Sequence, residues 1–279
     1  MGIDASSTVC YRHPDRATRV ACSDCGRPIC VDCMRDSAVG QKCPECAAPV
    51  GRGRVIDARR SVGVNRATSP VALGLIAVNV IVFVLGRAFG DLGDQFFRDG
   101  AMQNILVGEF GEWYRGITSM FLHADVLHIL FNMYALWLFG PVLERRFGSV
   151  PFATLYLASG LGGSALFYLV GDPRSSAVGA SGAIFGLFGA LLAASYRQRH
   201  TPAGRAVFSQ LGVLLALNLA LPFFVPRIAW EAHVGGLVVG ILVAAVWDRM
   251  PLEAGRAALA RASVAAVPAA VSLLILVVA

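Results

Sequence analysis

Charge is scarce in this chain. Of its 279 residues only 15% are Asp, Glu, Lys or Arg, 56% are hydrophobic, and the mean hydropathy is positive. Soluble domains carry nearer a quarter charged residues, so a soluble globular protein is excluded and a polytopic membrane protein is expected. Cysteine is absent beyond Cys46. All seven cysteines lie between Cys10 and Cys46, in a stretch with frequent charges and no long apolar run. The chain therefore divides into a small polar head, 1–50, a basic juxtamembrane linker, 51–69, a membrane core, 70–250, and a C-terminal linker with one further helix, 251–279. No secretory signal is expected either, because Met1 to Val9 has neither a basic start nor an apolar stretch. There is no internal repeat, which argues against a transporter or channel built from two related halves. The net charge of +6 does not imply nucleic acid, since the arginines cluster at the ends of hydrophobic segments.

Apolar runs long enough to cross a bilayer, roughly 17–25 residues, fall near 70–89, 122–141, 150–170, 181–196, 206–225, 230–247 and 262–279. The last is the weakest, being short and carrying Pro268. The fourth is short as well. At about 1.5 Å per residue it covers roughly 24 Å of a hydrocarbon core of roughly 30 Å. One of its ends must then lie below the membrane surface, and Ser181 is at that end. With the head inside, the inner segments carry Arg52, Arg54, Arg59, Arg60, Arg66, Arg145, Arg146, Arg197, Arg199, Arg205, Arg249, Arg256 and Arg261. The outer segments carry Arg87, Arg98, Arg115, Arg174 and Arg227. This asymmetry obeys the positive-inside rule. It predicts an integral cell membrane protein (plasma or inner membrane) with a cytoplasmic amino terminus, and it brings Ser181 and His233 in from the same outer side. The outer connection from 90 to 121 mixes aromatic and charged residues, as suits a segment lying partly in the interface.

In the head, Cys10-x-x-His13, Cys22-x-x-Cys25, Cys30-x-x-Cys33 and Cys43-x-x-Cys46 share one spacing. Seven cysteines would leave one unpaired in a disulfide scheme. With His13 they make eight ligands, enough for two tetrahedral zinc ions, and a cytoplasmic location argues against disulfides. A segment this small has no adequate apolar core, so the metal supplies most of its stability. Eight protein ligands leave no open coordination position, which makes the ions structural. The run from Cys10 to Cys33 resembles B-box and RING-like zinc modules. That resemblance implies that the first and third pairs hold one ion and the second and fourth the other. The chain departs from the usual B-box in ending on a cysteine pair where histidines are common.

In the body, Ser181 follows Gly179-Ala180 and precedes Gly182. Small neighbours admit a substrate backbone, and a helix start offers free N–H groups to an oxyanion. The same serine could simply belong to a close helix contact, for Gly182, Gly186 and Gly189 are spaced for one. His233 precedes Gly235, Gly236 and Gly240, and the last two form a Gly-x-x-x-Gly face. If that face meets the helix opened by Ser181, the hydroxyl comes within hydrogen-bond reach of the imidazole. His128 and Asn132, four residues apart on one face of the second span, offer donors suited to an oxyanion. Phe185, one turn after Ser181, can hold an imidazole by stacking.

Gly179-Ala180-Ser181-Gly182, Ala232-His233-x-Gly235-Gly236, and His123 with His128-x-x-x-Asn132 together resemble the rhomboid intramembrane serine proteases, over residues 70–250. The fold this implies is an all-α polytopic membrane protein, a rhomboid-like six-helix core plus one C-terminal helix. The resemblance implies Ser181 as nucleophile, His233 as general base without a carboxylate, His128 and Asn132 beside the oxyanion, and Gly179, Phe185 and Gly236 as support. Glu112-Trp113-Tyr114-Arg115 corresponds to the family's Trp-Arg motif, with tyrosine where tryptophan usually precedes the arginine. Gly140-Pro141 through Glu144-Arg145-Arg146-Phe147-Gly148 resembles its short inner turn. The expected partners are transmembrane protein substrates, the lipid bilayer and a cytoplasmic protein bound by the zinc head. The alternative readings are a non-catalytic rhomboid-like protein that binds membrane helices and a zinc-headed membrane adaptor.

Overall fold

The computed structural model describes residues 8–37, 40–47, 69–225, 228–250 and 257–278. The expected basic linker, apart from Ser69, lies outside these residues. The contacts divide the chain into two compact units, Met1–Gly63 and Val64–Ala279.

The first unit is built from minimal elements. Thr8–Val9 pairs antiparallel with Ala17–Thr18, and Arg35–Asp36 pairs with Gln41–Lys42. A single 3₁₀ turn, Val31–Cys33, and a one-turn helix, Pro44–Ala47, complete it. Its buried cluster is Cys10, Cys22, Ile29, Cys30, Cys33 and Cys43. Ile29 is the one aliphatic side chain among them, so ordinary hydrophobic burial contributes little here.

The second unit is a helical bundle. Its apolar helices are α1 (Pro70–Ala88), α2 (Val126–Phe147), α3 (Ser149–Val170), α4 (Ser181–Tyr196), α5 (Pro202–Ala220), α6 (Trp230–Trp247) and α7 (Ala257–Val278). Six are long and apolar enough to cross a membrane, α5 with its 3₁₀ extension Leu221–Phe223, and the short one is α4. This is a multi-pass membrane protein. Helix α6 packs on α4 and α3, α7 packs on α3, and α1 and α5 lie at the periphery.

Three expected spans begin or end elsewhere, for identifiable reasons. The second was expected at 122–141 but starts at Val126, because Asp125 is its N-cap and accepts the His128 N–H at 2.9 Å. It also continues through Gly140 and Pro141 to Phe147, so these two residues do not form a turn. The inner turn shrinks to Gly148, whose φ of +97° suits glycine. Glu144 holds this extension in place. It is 2% exposed and accepts the Val71 and Ala72 N–H groups at 3.1 and 2.9 Å, capping the start of α1 with a carboxylate, and it accepts the Ser149 hydroxyl at 2.6 Å. The fifth span starts at Pro202, not 206, since Thr201 caps it and proline occupies the first helical position. The seventh was expected from 262 but already includes Ala257, and Arg261 is buried within it instead of facing water.

The connection between α1 and α2 is largely structured. It contains the helices Asp91–Gly100, Asn104–Phe110 and Arg115–Thr118, and its strand Met102–Gln103 pairs with Ser176–Ala177 just before α4. Arg115, buried, donates to the Arg98 and Ala101 carbonyls at 2.7 and 2.9 Å and pairs with Glu112. Trp113 and Tyr114 stay partly exposed. Backbone carbonyls therefore anchor this segment.

Glycine sets the spacing of α3, α4 and α6. A Cβ on Gly236 would lie 1.9 Å from the Gly182 carbonyl oxygen, one on Gly240 1.9 Å from that of Gly186, and one on Gly235 2.4 Å from that of Gly162. At these three positions the nearest atom is a backbone carbonyl, which cannot move aside as a flexible side chain can. Gly240→Ala is thus expected to destabilise the bundle by about 1–3 kcal/mol. Gly212→Ala, at an open position on α5, should be neutral or mildly stabilising. Thermal unfolding in detergent compares the two, and equal midpoints would refute the seam as the determinant of packing.

Candidate active site and metal centres

The seam ends, on the side of the α1–α2 connection, with Ser181 and His233. Ser181 is the first residue of α4 and His233 lies in the first turn of α6. Because Gly182 and Gly236 let the two backbones touch, His233 Nε2 and Ser181 Oγ are 3.0 Å apart. The Phe185 and His233 rings stack with centroids 4.1 Å apart and planes 9° from parallel. Stacking leaves the imidazole one plane in which to turn. His233 Nδ1 has no hydrogen-bond partner, carboxylate or other, among the described residues.

The segment before Ser181 is held from the α2 side. Gly179, at φ +126°, donates its N–H to the Ser119 carbonyl at 2.9 Å. A Cβ there would lie 2.7 Å from His128 Nε2 and 3.7 Å from Ser181 Oγ. Gly179 therefore keeps open the space between His128 and Ser181. Asn132 is buried, and its amide donates to the His128 carbonyl one turn earlier at 3.0 Å. One of its N–H groups is thus committed within its own helix. His123 is buried edge-on to His128, with ring centroids 5.1 Å apart.

The structure thus gathers Ser181, His233, Phe185, Gly179 and His128 around one point, while Asn132 faces its own helical turn. Reading the sequence missed the residues behind them. Ser119 fixes Gly179, and Gly162 and Gly163 of α3 meet the α6 backbone at Gly235 and Ala232. The run Gly160-Leu-Gly162-Gly163 was a legible signal for a third face in the seam.

In the first unit the eight predicted ligands fall into two groups, Cys10, His13, Cys30 and Cys33, and Cys22, Cys25, Cys43 and Cys46. Within each group one donor atom per residue lies within 4.8 Å of all the others. Each could hold a metal ion, and the pairs interleave in the first-with-third, second-with-fourth order. In each group the sulfurs differ, with one thiol held protonated and others drawn toward the thiolate. The neighbouring Cys43 and Cys25 sulfurs push the Cys46 thiol up to about 12, and burial followed by the Cys10 and Cys30 sulfurs pushes Cys33 up to about 11. The Cys43 backbone N–H, 3.3 Å from Cys22 Sγ, draws that thiol down to about 6. Arg27 donates to Cys25 Sγ at 3.2 Å and Cys43 Sγ at 3.6 Å. It therefore partly neutralises the four-cysteine group.

A bundle of membrane helices, closed by a glycine seam with a hydroxyl and an imidazole in contact at one end, defines the class of protein. Residues 110–249 match the Rhomboid domain, and the chain belongs to the rhomboid family. It is 41% identical over 172 residues to the rhomboid protease GluP of Bacillus subtilis (strain 168), covering 61% of this chain and 33% of that protein. It is 39% identical over 133 residues to the putative rhomboid protease YdcA of the same organism, covering 48% and 66%. To the mitochondrial RHOMBOID-like protein 6 of Arabidopsis thaliana it is 38% identical over 143 residues, covering 50% and 46%. The chain spans between about one third and two thirds of the length of these relatives.

Proposed function

We propose that this protein is an intramembrane serine endopeptidase that cuts the transmembrane segments of other membrane proteins with a Ser181–His233 dyad. The observation that carries the reading is the 3.0 Å contact between Ser181 Oγ and His233 Nε2. The Ser181 oxygen attacks the scissile carbonyl carbon as its proton passes to His233 Nε2. The tetrahedral oxyanion takes hydrogen bonds from the Ser181 backbone N–H and from His128, with Asn132 turning its amide toward it. Collapse breaks the C–N bond, and His233 gives its proton to the leaving amine. Water then attacks the acyl ester, losing a proton to His233, which returns it to Ser181. Gly179 keeps the oxyanion space clear, and Phe185 and Gly236 hold the imidazole at its working distance.

Water must reach an acyl-enzyme inside the bilayer, so the site opens to the outer side through irregular backbone lining an aqueous cavity. The amino terminus lies in the cytoplasm, as the arginine distribution favours. The zinc head, 1–50, and the protease core, 70–250, are separate modules joined by the basic linker, with the seventh helix in 251–279. Two structural zinc ions in the head present a surface to a cytoplasmic protein partner.

A fluorophosphonate probe on the purified full-length protein tests the reading. Labelling is expected at Ser181 and is expected to be lost in His233→Ala, which leaves the hydroxyl without a base. Labelling that persists in Ser181→Ala, or that never occurs in a protein with intact helices, overturns the proposal.

A further inference from the structure

At the end of the bundle opposite Ser181, helices α2, α4 and α6 finish and α7 begins, and four arginines meet there. The ring of Phe147 carries two of them, with the Arg146 guanidinium carbon 5.3 Å and the Arg261 guanidinium carbon 5.7 Å from its centroid. Among the described residues, Asp248 is the carboxylate that serves this cluster. Arg146 lies 3.6 Å from its side chain, and Arg197 donates to its backbone carbonyl at 2.9 Å. The nearby Glu144 is already committed to the amides of Val71 and Ala72 and to Ser149. Arg145 adds a further exposed cation one residue away.

Arg261 is left over. Its residue is 7% exposed, its backbone carbonyl accepts the Trp247 indole N–H at 2.9 Å, and its buried Nε–H has no hydrogen-bond partner among the described residues. A guanidinium carries five donors in a planar fork suited to two oxygens of one phosphate. Buried polar groups are satisfied as a rule, and among the unpartnered buried atoms of the described residues Arg261 Nε alone belongs to a permanent cation, which asks for an anionic partner. The surplus of cations, the orphaned donor and the level within a membrane bundle all specify the same ligand chemistry.

The geometry points to a seat for the phosphate of an anionic phospholipid headgroup, formed by Arg261 and Arg146 beside the Phe147 ring, with Trp247 fixing the turn that carries Arg261. A headgroup bound here joins the last turns of α2 and α6 to the first turn of α7. It works independently of the Ser181 chemistry and would hold even if the protein cut nothing.

Native mass spectrometry of the full-length protein, with phosphatidylglycerol, phosphatidylcholine or inorganic phosphate added, tests this. Phosphatidylglycerol adducts are expected at concentrations about fivefold or more below those for phosphatidylcholine. Arg261→Gln should abolish the preference and Arg261→Lys should retain part of it. Arg146→Gln, at an exposed position that does not threaten folding, should weaken it as well, and Arg174→Gln at the other end should not. Equal binding of the two lipids, or a preference unchanged in both Arg261→Gln and Arg146→Gln, overturns the seat. Inorganic phosphate that binds as tightly as phosphatidylglycerol and displaces it reassigns the site to a soluble anion and overturns the lipid.

Discussion

Ser181→Ala is expected to lower cleavage of a transmembrane substrate in proteoliposomes by about a thousandfold or more, with the helical content and thermal midpoint unchanged. The hydroxyl lies at the first residue of α4 and makes one side-chain contact, to His233 Nε2 at 3.0 Å, so its removal costs little packing. His233→Ala should cost about as much activity as Ser181→Ala, and the double variant no more than either alone. Groups that act as a unit behave in this way, whereas independent contributors multiply. Phe185→Leu separates positioning from chemistry. It keeps an apolar side chain but removes the stacked ring 4.1 Å from the imidazole, and should slow turnover by about tenfold while fluorophosphonate labelling persists. A Ser181→Ala protein that still cut, or a double variant far worse than both singles, would remove the dyad from the argument.

The site was legible where chemistry demands particular residue types at membrane depth. A serine and a histidine, each flanked by glycine in segments long enough to span a bilayer, marked two points, and the orientation of the spans brought them to one side. Glycine spacing on α4 and α6 marked the faces that meet. The helix boundaries were less legible because they depend on tertiary partners. Pro141 reads as a break in a local window, yet α2 passes through it, since the buried Glu144 beyond it is fixed by the amides of α1. Arg261 reads as a water-facing residue before a span, yet it lies inside the first turns of α7 against Phe147. Asn132 is placed on the His128 face by its spacing, while the bond of one amide N–H to the His128 carbonyl emerges only from the fold. Side-chain direction at one turn cannot be read from spacing alone.

Metal removal should act on the first unit alone, and completely. Its buried cluster is five cysteines and Ile29, so hydrophobic burial offers on the order of 2 kcal/mol, against conformational entropy of about 1–2 kcal/mol for each ordered residue. Zinc in comparable small sites contributes about 10–16 kcal/mol, which decides the balance. Metal release from the intact protein should yield two ions per chain, one from each group of four ligands. After chelation, limited proteolysis should cut between Thr8 and Ala47, while circular dichroism keeps the helical signal of the second unit. Arg27→Ala should lower zinc affinity by about 10–100-fold, because four thiolates around one divalent ion leave two negative charges, and Arg27 donates to two of those sulfurs. Three thiolates and the neutral His13 leave only one, so the other group needs no such cation and should be insensitive to this change. A chelated protein with an unchanged proteolytic pattern would show that the head folds without metal, and fewer than two ions released would break the pairing of its ligands.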